Sequence, residues 1–165
     1  MKKIIYIIVL LACSGIAFGQ SNFDALEDIN GITSVIVTKD MFELLSKFPD
    51  AKSKNMDVFS IAKGVDELKI YTSQSSQMTA SMEKMVVKVV KENSLTELMR
   101  VNDKQNNTKI YIKAAKNKNF VSQVLMFVKG KDHNDKTSET VIVNLNGNID
   151  VDKLSKIAVK YVGNN

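Results

Sequence analysis

Between residues 95 and 145 the chain alternates four apolar, β-branched runs with three short polar connections, a spacing that predicts an antiparallel meander. The runs fall at 95–101, 108–114, 120–128 and 139–145. The connections at 102–107, 115–119 and 130–138 are rich in Asn, Asp, Lys and Gly and have the length of hairpin loops. A chain committed to that sheet must find helices to cover it, and the first half offers them.

Ile32 to Thr38 is β-branched and predicts a strand. Asp40 can cap a helix with Met41, Leu44, Leu45 and Phe48 at helical spacing, stopped by Pro49. A short helix is expected over 56–63, ended by Gly64. Leu68, Ile70 and Thr72 then alternate with Lys69, Tyr71 and Ser73, the period of a half-buried strand. The serines at 73–76 offer an N-cap for the longest helix, running to about Asn93, whose stripe Met78, Met82, Met85 and Val89 reads as a core face widened by Val86 and Val90. Asn146-Gly147 is expected to close the last strand as a turn, and Asp150 to cap a final helix with Leu154, Ile157, Ala158 and Tyr161 on one face, ended by Gly163. The expected fold is α+β: a single domain, mostly antiparallel sheet with helices packed on one face, in the order β-α-α-β-α-β-β-β-β-α.

The chain opens with Lys2-Lys3, an apolar run from Ile4 to Ala12, and small residues at Ser14, Gly15, Ala17 and Gly19. That is the pattern of a secretory signal peptide over 1–19, with Gln20 as the new N-terminus. An alternative is a lipoprotein signal over 1–12, in which Leu10-Leu11-Ala12-Cys13 is a lipobox and Cys13 is lipidated. A membrane is a partner only in that second case. A short polar lead at 20–30 and one domain over 31–163 complete the expected organisation. The expected location is periplasmic, outer-membrane-associated or extracellular.

Of 165 residues, losing the 19 of the leader leaves 146, enough for one core. Losing Lys2 and Lys3 lowers the net charge from +5 to +3, with lysines scattered among acids. The only cysteine is Cys13, so an exported domain would be held by packing without disulfides.

Chemistry is sparse. The single histidine, His133, lies in the polar run Lys131 to Asp135 and reads as a surface loop residue, so no Ser–His–Asp triad is expected. Zinc needs three or four ligands that the mature chain does not supply in Cys and His, and no Walker or Rossmann glycine pattern occurs. The run Asn144 to Asp150 imitates the middle of an EF-hand loop, but that alignment places Ile142 and Lys153 where end carboxylates are needed. No cofactor, metal or catalytic residue is expected. Acid pairs such as Asp66-Glu67 and Asp150 with Asp152 adjoin predicted strand or helix starts, where acids are favoured in any case.

One set of residues stands out. Lys69 and Tyr71, then Lys109, Tyr111 and Lys113, alternate with apolar residues, so each set shares one side of its strand. If the two strands are neighbours, they form a basic face interleaved with tyrosines, suited to an acidic glycan or an anionic envelope surface. No nucleic-acid partner is expected for an exported chain.

The mature pattern resembles an exported Bacteroidota family, domain-of-unknown-function family 4252. The residues that carry the resemblance are Ile32 to Met41, Val65 to Tyr71, Glu97 to Val101, the 124–128 strand and Leu145 to Asp150, within a match over roughly 22–162. The resemblance implies export, sometimes as a lipoprotein, and brings no catalytic residues. The sequence thus reads as an exported, non-catalytic binding or envelope-associated module. Two alternatives stay open: an acid-only enzyme, such as a glycosidase or a cofactor-independent lyase, and a lipid-anchored envelope component.

Overall fold

A computed structural model describes residues 23–47, 64–131 and 139–152. A 3₁₀ turn at Asp24–Leu26 leads into β1 (Thr33–Thr38), α1 (Lys39–Ser46), β2 (Val65–Ser73), α2 (Ser76–Glu92), β3 (Thr96–Asn102), β4 (Asn106–Ala114), β5 (Phe120–Gly130) and β6 (Thr140–Asp150). The strands make one six-stranded sheet in the order β1-β2-β6-β5-β4-β3, every neighbouring pair antiparallel. The expected meander is present as β3 to β6, and its last strand closes the sheet against β2.

The element order over the described residues, β-α-β-α-β-β-β-β, differs from the expected one. The helix expected at 56–63, and all but the first two residues of the expected final helix, fall outside the described residues, as do the expected leader, Cys13, Phe48, Pro49 and His133.

The connection from β2 to β3 dictates the packing. The chain must cross β6, β5 and β4 to reach the far edge, four strand spacings or about 19 Å. The 17 residues of α2 span about 26 Å and carry it there over one sheet face. Ser75 caps α2, its hydroxyl accepting from the Met78 N–H. Beneath α2, Met82, Val86 and Val89 pack on Tyr71, Leu125, Phe127 and Ile142. Phe23 and Leu26 complete this cluster, both fully buried, with Ile29 and Ile32 beside them. Two residues of the expected polar lead are therefore core: Phe23 and Leu26, with Ile29 and Ile32, recur every third position, a 3₁₀-like spacing that seats them on one side.

The opposite face has its own cluster, with Val65, Val121, Val124 and Ile149 buried and Phe42 of α1 packed against it. The two helices thus lie on opposite faces, which corrects the expectation of one. The apolar stripe assigned to α1 is corrected too: Phe42 turns inward while Met41 and Leu44 stand about half exposed.

β6 does not stop at Asn146-Gly147. Gly147 has φ +150°, and a Cβ there would stand 2.1 Å from the Gly64 carbonyl oxygen. Lacking one, Gly147 lets β2 close in, Asn148 donates to the Gly64 carbonyl at 2.7 Å, and the strand runs on to bury Ile149.

Candidate functional site

Lys69, Tyr71, Lys109, Tyr111 and Lys113 do share one face of the sheet, because the register pairs Lys69 with Asn144, Tyr71 with Ile142, Lys109 with Phe127 and Tyr111 with Leu125. Yet β2 and β4 are not neighbours. β6 and β5 lie between them, and it is this face that α2 and residues 23–32 cover. The five residues therefore divide into two sites.

The β2 pair is interior. Tyr71 is fully buried, its ring 6.0 Å from that of Phe23, and its hydroxyl donates to Glu27 at 3.1 Å. The Lys69 side chain is 8% exposed and meets Asp24 at 2.5 Å, Glu27 at 3.1 Å and Glu67 at 3.6 Å. Burial opposes the charge on Lys69, but the bonds to Asp24 and Glu27 and the charge of Glu67 outweigh it, leaving the lysine pKa above its ordinary value. Burial and the neighbouring carboxylates also push the Tyr71 hydroxyl up. These groups clamp the N-terminal segment to the sheet. An exposed face running from β2 to β4 is thereby corrected.

The polar clamp continues inward. Asn146 donates to Glu67 at 3.3 Å, Gln123 to the buried Asn144 at 2.8 Å, and Asn93 at the end of α2 to Gln123 at 3.2 Å. The stretch resembling an EF-hand loop is therefore paired strand, with the side-chain amides of Asn144 and Asn146 engaged. Of the acid pairs, Glu67 serves Lys69, Asp66 lies 3.9 Å from Lys39 on the surface, and Asp150 accepts from the Asp152 N–H at 2.9 Å.

The β4 residues lie on a wing at the rim of α2. Tyr111 packs its ring against the edge of the core, Lys109 is half-buried and Lys113 exposed. On the edge strand β3, Arg100 stands opposite Lys109 and Glu97 opposite Tyr111. Arg100 grips Glu97 with two parallel bonds, Nε to Oε1 at 2.9 Å and Nη2 to Oε2 at 2.7 Å. That grip holds the Glu97 carboxyl below its ordinary pKa, with Lys109 adding to the pull. At the inner margin Lys129 reaches Glu83 of α2 at 2.9 Å.

This wing lies in the basic part of the molecule. Between Thr96 and Lys131 stand eight cationic side chains and two acids, whereas the remainder of residues 20–165 has thirteen cations and sixteen acids. Of the two acids, Glu97 holds Arg100, and Asp103 accepts from the Gln105 and Asn106 N–H groups at 2.7 and 2.6 Å to build the β3–β4 turn, which keeps its carboxyl below the ordinary range. Among the described residues, Lys109, Lys113, Lys116 and Lys118 have no carboxylate within 4 Å. Sequence reading missed Arg100, Glu97 and this segregation; counting charge strand by strand finds it. No group of three or more metal-ligating side chains occurs among the described residues, and no helix there is long and apolar enough to cross a membrane.

The chain belongs to the family described as Domain of unknown function (DUF4252), whose model matches residues 26–157. That match takes in the clamp residues Glu27, Glu67, Lys69 and Tyr71 and the whole wing. No curated protein and no solved structure matches the chain.

Proposed function

We propose that this protein is an exported, non-catalytic binding module whose β3–β4 wing engages an acidic glycan of the cell envelope. One observation carries the reading: Arg100, Lys109 and Lys113 share one face around Tyr111 in the most basic stretch of the chain, at the rim of the covering helix. The signal-like pattern of residues 1–19 supports the export part of this reading. Lysines supply charge without demanding fixed geometry, arginine supplies a planar fork for carboxylates, and tyrosine supplies a flat, amphipathic ring. A ligand of repeating carboxylates suits that combination better than a single small anion would.

Each cation near an anionic surface contributes about 1 kcal/mol. Reversing two, in Lys109→Glu with Lys113→Glu, should weaken binding to immobilised polygalacturonate by about thirtyfold or more. The same reversal on the outer side of α2, Lys84→Glu with Lys88→Glu, should change it far less. Retention should fall as salt rises. Wild-type protein that never binds the column, or equal losses from both double variants, would overturn the reading.

A further inference from the structure

Residues three apart in a regular strand point to opposite faces, yet Glu97 and Arg100 share one. The cause is a β-bulge between Glu97 and Met99, which sets Glu97 opposite Tyr111 and Arg100 opposite Lys109. Leu98, the extra residue, is 62% exposed. Bulges re-aim side chains, and they recur beside functional sites. Here the bulge builds a carboxylate–guanidinium fork in the middle of the wing.

The fork does little for the fold. The Arg100 side chain is 58% exposed and that of Glu97 34%, so water and salt screen the pair and its net stabilisation is small. What it does achieve is local. It fixes the guanidinium beside Lys109 and Tyr111, and it fills with a protein carboxylate the bidentate seat that a guanidinium presents to any carboxylate. Among the described residues, its strand is also the sheet edge.

We propose that Glu97 is an internal stand-in for the ligand, occupying Arg100 until a sugar carboxylate of an acidic glycan displaces it. This rests on the reading of the wing as a glycan-binding surface and adds how that surface is regulated. An isolated anion exchanges one carboxylate for another with no gain. A chain of uronic acids brings further carboxylates to Lys109 and Lys113 at the same time, so the exchange favours multivalent ligands over single ones. Selectivity for chain length is the consequence.

The test is calorimetric titration of the chain from Gln20 onward with oligogalacturonate of increasing length. Glu97→Gln keeps the side-chain shape and frees the fork, and should tighten binding about fivefold to tenfold while letting shorter oligomers bind. Glu92→Gln, the same charge change on α2, should alter affinity less than twofold. The gain should vanish when Arg100→Lys is added, since an ammonium offers no planar fork. If wild type binds but Glu97→Gln is no tighter than Glu92→Gln, or if the gain survives Arg100→Lys, the stand-in is overturned while the binding surface stands. If no variant binds any oligomer, the underlying reading falls and the stand-in with it.

Discussion

A lysine ammonium drawn out of water survives only among counter-charges, and Lys69 has three. Its pKa is raised above the ordinary 10.5, so its ion pairs contribute fully below that pH and are lost as pH climbs through the raised value. Tyr71, raised above 10.0, has the same sign: the buried hydroxyl resists ionising, and that resistance turns into lost stability in alkali. Thermal midpoints should therefore hold level from neutral pH to about 9.5 and fall beyond about pH 10 to 10.5. Lys69→Met should cost about 1–3 kcal/mol at pH 7 in a denaturant melt, because Asp24 and Glu27 lose their cation while keeping part of their water. A Lys69→Met variant as stable as wild type would remove the clamp from the account. Alternation in the sequence correctly put Lys69 and Tyr71 on one side of β2 and Leu68 and Ile70 on the other. It could not tell which side faces the main core, since two of the three acids that neutralise Lys69, Asp24 and Glu27, lie more than 40 residues away along the chain.

At the level of elements, α2 is the most legible part of the molecule. Its cap, its end near Asn93 and its inward stripe all follow from local sequence. Met82 is fully buried, while Lys84 stands on the outer side. Met82→Ala should cost about 2–5 kcal/mol and Lys84→Ala almost nothing, measured by thermal or chemical melts. Equal losses would mean that the helix sits with another face inward. The half-buried Met85 should fall between the two. β6 was less legible, because Asn-Gly has the chemistry of a turn and only a distant partner, the Gly64 carbonyl, makes Gly147 part of a strand. The β3 bulge left no sequence mark either. Regular alternation puts Glu97 and Arg100, three residues apart, on opposite faces, and only the register with β4 brings them together.

Over the whole molecule, strand order decides the outcome. Local patterns predict hairpins between neighbours in sequence, and β3 to β6 obey them. The pairing of β2 with β6 joins residues 67 to 82 apart and has no local signature. That single pairing separates the two halves of the Lys–Tyr set, sending the β2 half into the core and leaving the β4 half on a basic wing. Lysine reactivity tests this division and the binding proposal in one measurement. The chain from Gln20 onward is acetylated briefly, with and without polygalacturonate, and each lysine is quantified by mass spectrometry. Lys69 should stay protected in both samples. Lys113, and to a lesser degree Lys109, should be modified in the free protein and shielded by the polyanion, with Lys84 modified equally in both. Rapid labelling of Lys69, or polyanion shielding of Lys84 in place of Lys109 and Lys113, would contradict the account.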